Sequence, residues 1–211
     1  MKGLFGFPVV LLLAFLGPLT VVAQDLPTDP DIVVKEVFWG ELKKDGGRTF
    51  FCDTPFASKG FMVTQGYIYP LSHAQTVLKC GTASQCEQNA AYRRIASDLF
   101  NIIPVQSRIE IWRRNAKYQE LGSTGSVKDC GIRASTQFIE PPDHVKGDVA
   151  RTIAYMARTH DLPLVAPELT LQEWNRQDPP DEREISRHQQ IAELQGNENP
   201  FVTQPGLMEE P

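Results

Sequence analysis

Between residues 143 and 160, Val145, Val149, Ile153 and Met156 recur every three or four positions, and the series ends at His160. That spacing predicts one buried stripe on a helix with Asp143 as its cap. "PELTLQEWNRQ" predicts a further short helix with Trp174 as its packing anchor. "PPDEREISRHQQIAELQG" predicts a last one, where Asp181 and Glu184 form a capping box and Gly196 supplies the left-handed stop. Upstream, "DIVVKEVFWGELKKDGG" (31–47) predicts an amphipathic helix closed by Gly46-Gly47. A second upstream helix runs from about Glu87 to Phe100, burying Tyr92, Ile95, Ala96 and Leu99, and Pro104 prevents its continuation. Strand signals are sparse. "RTFFC" (48–52) is one, and "FMVTQGYIYPLSHA" (61–74) is another, running into Pro70 with His73 just past the turn. Residues 105–135, rich in Gly, Ser, Lys and Arg, predict loops with short strands around "KDCGIRASTQFIE". The fold class is α+β, helix-dominated, with a small irregular sheet.

The first 23 residues change the boundaries. One cation at Lys2, an apolar run broken at Gly17-Pro18 and a small-residue Val21-Val22-Ala23 end give the build of a secretory signal peptide. Cleavage there leaves a single domain over 24–203 and a short tail over 204–211, predicted to be disordered. The remaining chain has no second span long enough for a bilayer, so no membrane attachment is expected after cleavage. It carries 20 basic against 26 acidic residues, a balance that disfavours indiscriminate polyanion binding. Four cysteines, an even set in an exported chain, read first as disulfides. They lack a C-x-x-C pair and a histidine at zinc spacing.

Five phrases stand in a telling order: "SDLFNIIP", "RRN", "EPPDHVKGDVARTIAYM", "QEWNRQDPP" and "IAELQGNENPFV". Together they resemble the bacterial endonuclease I family, periplasmic or secreted non-specific nucleases with a ββα-metal, or His-Me finger, active site. The resemblance extends over about residues 31 to 202. It implies a disulfide-stapled endonuclease I-like fold, a periplasmic or secreted location, and the pairs Cys80–Cys86 and Cys52–Cys130. Family members often carry eight cysteines. One of the absent four falls at Ile185, and its partner is missing too, as a bridge lost whole requires.

The resemblance also implies a chemistry. A neutral histidine takes a proton from water, and one divalent ion, usually Mg²⁺, neutralises charge on the phosphate. The ion's ligands are a Glu just before that histidine and an Asn on the helix that follows. Aligned on the proline of the family's E-H-V-V-P phrase, this chain reads Gly66-Tyr67-Ile68-Tyr69-Pro70. Gly66 stands for the acidic ligand and Tyr67 for the general base. Asn101 keeps the amide ligand, but Phe100 replaces the histidine before it. A phenol titrates near pH 10, so only about 0.1% of an ordinary tyrosine is phenolate at neutral pH. One amide oxygen is a poor claim on Mg²⁺, which wants a carboxylate.

The expectation is therefore an exported family member with lost or strongly reduced nuclease activity, retained for binding. Its partner would be DNA or RNA through backbone phosphates, or an envelope or DNA-transfer protein. Arg93, Arg94, Arg113 and Arg114 flank the old site and are the candidate phosphate contacts. The alternative is a working Mg²⁺-dependent endonuclease with substituted residues, His73 replacing the base. Asp98 is expected at a helix turn, His144 and His188 on solvated helix surfaces, and His160 in packing or a helix C-terminal cap.

Overall fold

The computed structural model describes residues 28–209, so the signal peptide falls outside the described residues. The chain opens with α1, Pro30–Ile32, capped by the Asp29 carboxylate and running on as a π-helical stretch Val33–Leu42 that buries Val33, Val37 and Phe38. β1 (Gly47–Arg48) pairs antiparallel with β2 (Pro55–Phe56). Of the expected 48–52 strand only Arg48 belongs to β1, because the chain reverses at Asp53, whose φ is positive.

β3 (Val63–Tyr67) ends before Pro70, and Pro70 opens α2 (Leu71–Leu78), a helix that the sequence reading did not include. His73 therefore sits in a helical first turn. The helix expected over 87–100 is shorter, α4 (Ala90–Ala96), because the Asn89 side chain caps its start; a separate turn of helix, α3 (Ala83–Cys86), precedes it. Asn101 is past the end of α4, in the turn before β4 (Ile102–Gln106), and not on a helix as the resemblance implied. β3 and β4 are antiparallel, with Gly66 opposite Ile103 and Tyr67 opposite Ile102. α5 (Ser107–Arg113) follows directly inside the segment expected to be irregular. Two strands followed by a helix thus enclose the residues in question.

β5 (Lys117–Tyr118), β6 (Ser126–Val127), β7 (Arg133–Ala134) and β8 (Phe138–Glu140) form a small sheet in the order β5-β8-β7-β6, with β5 and β8 parallel. Three long helices cover the other side. They are α6 (Lys146–His160), α7 (Glu168–Gln177) and α8 (Glu182–Gln195), followed by the short α9 (Pro200–Thr203). α6 begins after Asp143, which spends its carboxylate on Lys146 at 3.0 Å and caps nothing. Asp181 caps α8 as expected, but Glu184 turns inward to Arg151 and does not complete a capping box. The stretch predicted as a disordered tail is ordered through Glu209: Pro205–Glu209 form a 3-10 turn with Met208 buried.

One core joins these layers, with Phe38, Phe51, Ile68, Leu99, Ile153 and Trp174 among its fully buried members. Two disulfides staple it, Cys52–Cys130 and Cys80–Cys86, with Cα atoms 5.1 and 4.9 Å apart. The first spans a sequence separation of 78 residues and ties the β1–β2 segment to the turn before β7. Replacing Cys52 and Cys130 by alanine is expected to cost about 4 kcal/mol through the freed unfolded chain. Urea unfolding of the double variant against the parent measures it. Among the described residues no helix is long and apolar enough to cross a membrane.

Candidate active site and its surroundings

Gly66 is buried in β3. The volume that a side chain would fill there is already taken. A methyl on Gly66 would lie 2.5 Å from Glu110 Oε2, 2.8 Å from Val105 Cγ1 and 2.9 Å from Arg113 Nη2. Glu110 and Arg113 stand one turn apart on α5 and form an ion pair at 2.7 Å. Arg113 is wholly buried. It donates to the Tyr67 carbonyl at 3.0 Å and the Tyr118 hydroxyl at 3.4 Å, and its guanidinium stands 5.2 Å from the Phe51 ring. Burial pushes the Glu110 carboxyl upward, while the Arg113 charge opposes that shift. A carboxylate does approach the catalytic strand, but it comes from α5 and is spent on a buried arginine.

Tyr67 lines a cleft of about 260 Å³ together with Asp31, Glu87, Tyr92 and Arg93. Burial drives its phenol above the ordinary tyrosine value, and Tyr92, Asp31 and Glu110 drive it in the same direction. Phenolate at neutral pH is therefore rarer here than for a free tyrosine. Asp31 and Glu87 would also repel a phosphate at this position. Arg93 cannot offset them freely, because its guanidinium donates to the Thr28 carbonyl at 2.8 Å and the Thr28 hydroxyl at 3.4 Å.

Asn101 is fully buried with both ends of its amide occupied. Its Oδ1 accepts from the Tyr69 backbone N–H at 2.6 Å and its Nδ2 donates to the Tyr69 carbonyl at 3.1 Å. The side chain acts as a backbone staple between the end of β3 and the start of β4. Phe100 packs against Tyr155 and His188, with ring centroids 4.9 and 5.5 Å apart. His188 is thus buried, and accepts from the Asn199 N–H at 3.1 Å, where a solvated position was expected. His144 is exposed. Asp98 is a buried hub: Oδ1 accepts from Phe100 N–H and Gln195, and Oδ2 lies 2.8 Å from both the Tyr155 hydroxyl and His160 Nε2. Both oxygens of Asp98 are thus engaged within the protein.

These residues do not fit a magnesium site. Gly66, which the resemblance aligns with an acidic ligand, has no side chain, the Asn101 amide oxygen is hydrogen-bonded, and Glu110 is ion-paired. Among the described residues no three His, Cys, Asp or Glu side chains gather where they could hold an ion.

The four candidate arginines do not form one surface. Arg113 is internal, and Arg93 is tied to Thr28. Arg94 lines a cleft with Asp98 and His160, whereas Arg114 lines a different one with His73. In that second cleft a ring nitrogen of His73 lies 3.2 Å from the Asn115 carbonyl oxygen, and burial pushes the imidazole below its ordinary value. Tyr67 and His73 line separate clefts. Glu110 is the residue that sequence reasoning missed. Its trace was a Glu and an Arg three residues apart, just after a strand-terminating run.

A family model described as Endonuclease I matches residues 64–206, a span that contains the β3–β4–α5 unit and all three long helices. The chain belongs to the endonuclease I family. Endonuclease I relatives include a periplasmic deoxyribonuclease of Aeromonas hydrophila, 28% identical over 154 residues, which are 69% of this chain and 65% of the relative. An Endonuclease-1 of Buchnera aphidicola is 29% identical over 138 residues, 64% of this chain and 55% of that protein. An extracellular ribonuclease of Bacillus subtilis is 32% identical over 133 residues, 54% of this chain and 46% of its own length. The chain thus spans about half to two thirds of the curated relatives it matches.

Proposed function

We infer that this protein is an exported endonuclease I homologue that does not hydrolyse phosphodiesters and works by holding nucleic acid. The observation that carries the reading is the filled space above Gly66. With Glu110, Val105 and Arg113 closing on the place a Cβ would take, that position has no room for a ligand side chain. The loss is therefore built into the packing and goes beyond one exchanged residue. Export is supported by the signal-like first 23 residues and by the periplasmic and extracellular deoxyribonucleases among the relatives. An envelope or DNA-transfer protein is the further partner this reading admits.

One observation favours the alternative of an active enzyme. His73 is held largely neutral in a cleft with Arg114 and Lys117, the protonation state a general base needs. Both readings meet in one assay. Supercoiled plasmid incubated with the mature, disulfide-bonded protein and Mg²⁺ at neutral pH is expected to stay supercoiled. Nicking that disappears in His73→Ala or Tyr67→Ala would establish the active reading instead.

A further inference from the structure

α5 separates two clefts that repeat the same chemistry. On one side, a cleft of about 590 Å³ contains Trp112 and Phe138 with Arg114, Lys117 and His73. On the other, a cleft of about 750 Å³ contains Phe56 and Phe61 with Arg108. Ile111 lines both and is the ridge between them. Each cleft thus has two aromatic rings and at least one arginine, and neither is lined by an aspartate or a glutamate. In a chain with a formal charge of −5, that is a marked segregation of charge. One ring of each pair is open to solvent, Phe61 at 95% and Trp112 at 38% exposure, with Ile111 between them at 75%, while Phe56 and Phe138 are half-buried. Such exposure of large apolar side chains over one helix marks a contact surface.

From this juxtaposition we propose that the α5 face is a docking surface for single-stranded nucleic acid, with unpaired bases stacked in the two clefts and phosphates on Arg108, Arg114 and Lys117. The charge complementarity selects a polyanion, and the paired rings select one with exposed flat faces. A duplex keeps its bases stacked inside and offers the rings nothing. Arg108 is paired with Asp129 at 3.3 Å, but both side chains are solvent-exposed, and a surface ion pair of this kind is readily exchanged for a phosphate. Glu110, paired with Arg113 and packed toward Gly66, lines neither cleft. The proposal deepens the nucleic-acid-holding reading above and places the contact away from Tyr67.

The test uses the mature, disulfide-bonded protein with fluorescein-labelled dT20 and a mixed-sequence 20-base-pair duplex, measured by anisotropy in EDTA. The expected result is tighter binding of dT20. Its affinity should fall roughly 20-fold between 50 and 200 mM salt for three phosphate contacts. Phe61→Ala with Trp112→Ala should weaken dT20 binding by about tenfold or more and leave duplex binding unchanged. If that pair fails to fold by circular dichroism, Arg114→Glu with Lys117→Glu takes its place and should abolish dT20 binding. Equal binding of duplex and dT20, with both variants inert, overturns the proposal while the broader nucleic-acid reading stands. Binding of neither ligand removes both readings. Binding of poly-glutamate without dT20 would assign the face to an acidic protein partner and overturn it as well.

Discussion

Gly66→Glu is expected to destabilise this protein strongly, and adding Glu110→Ala is expected to restore most of what it loses. The clash is specific. A Cβ at position 66 meets Val105 Cγ1 at 2.8 Å, and two charged side-chain ends at 2.5 and 2.9 Å. Glu110 can move aside, but only by giving up Arg113, which is wholly buried. Overpacking costs about 1–3 kcal/mol and a buried arginine stripped of its carboxylate about 3–5 kcal/mol. A loss of about 3 kcal/mol would lower the melting temperature by roughly 6–12 °C at this chain length. In the double variant the carboxylate reaches Arg113 from β3 instead of α5, so the buried charge stays paired while the crowding is relieved. A thermal melt of both single variants and the double gives the coupling, expected to exceed about 1 kcal/mol in favour of the pair. Additive losses would show that Glu110 and position 66 do not compete for one space. The same competition predicts that Gly66→Glu with Tyr67→His stays silent on plasmid, because the introduced carboxylate has Arg113 and Glu110 as neighbours and Asn101 remains bound to Tyr69.

That competition was invisible in the sequence, and the reason is physical. What could be read was whatever depends on periodicity or local capping: the α6 stripe, Trp174 as an anchor, Asp181 at the start of α8 and Gly196 at its end, with φ 78°. That Gly66 and Tyr67 stand where the family has Glu and His is an expectation from the resemblance alone. What fills the space beside Gly66 could not be read, since Glu110 is 44 positions away and reaches Gly66 only because α5 folds back over β3. α5 itself escaped detection because two of its apolar residues, Ile111 and Trp112, point outward, leaving no buried stripe to detect. α2 was missed for a related reason: only Ala74 of its eight residues is buried. His188 was misjudged as a surface residue because its burial comes from Phe100 and Asn199, whereas Asp98, expected at a helix turn, does accept from the Phe100 N–H there and gains Tyr155 and His160 of α6 as further partners. Arg113 reads as a phosphate contact in one dimension and is a core cation in three.

Arg151→Ala should be the most damaging single change in the helical layer. Its guanidinium is fully buried and joins three helices at one point: Nε donates to Glu184 Oε1 at 2.9 Å, and Nη1 to Asn175 Oδ1 at 3.0 Å and the Asp178 carbonyl at 2.8 Å. Gly147 makes the approach feasible, since a methyl there would collide with the Asp178 carbonyl and with Arg151 itself. Removing the arginine leaves Glu184 buried without its counter-ion, at a cost of about 3–5 kcal/mol. Arg151→Met with Glu184→Leu should cost much less, because no charge is then stranded. The surrounding carboxylates give this region a pH dependence of predictable sign. Burial, with Glu184 as the next cause, raises Asp148 from 3.8 to about 8, and burial also raises Glu184 and Asp178. A carboxyl whose folded value is raised holds a proton that the unfolded chain releases. Its contribution is therefore complete below about pH 4 and is lost as pH climbs toward 8. Asp148→Asn keeps the neutral form at every pH, so its stability relative to the parent should rise from pH 5 to pH 8 in urea melts. A relative stability that stays flat or falls over that range would mean that the charged form of Asp148 is welcomed by Arg151 and Arg187 more than burial resists it.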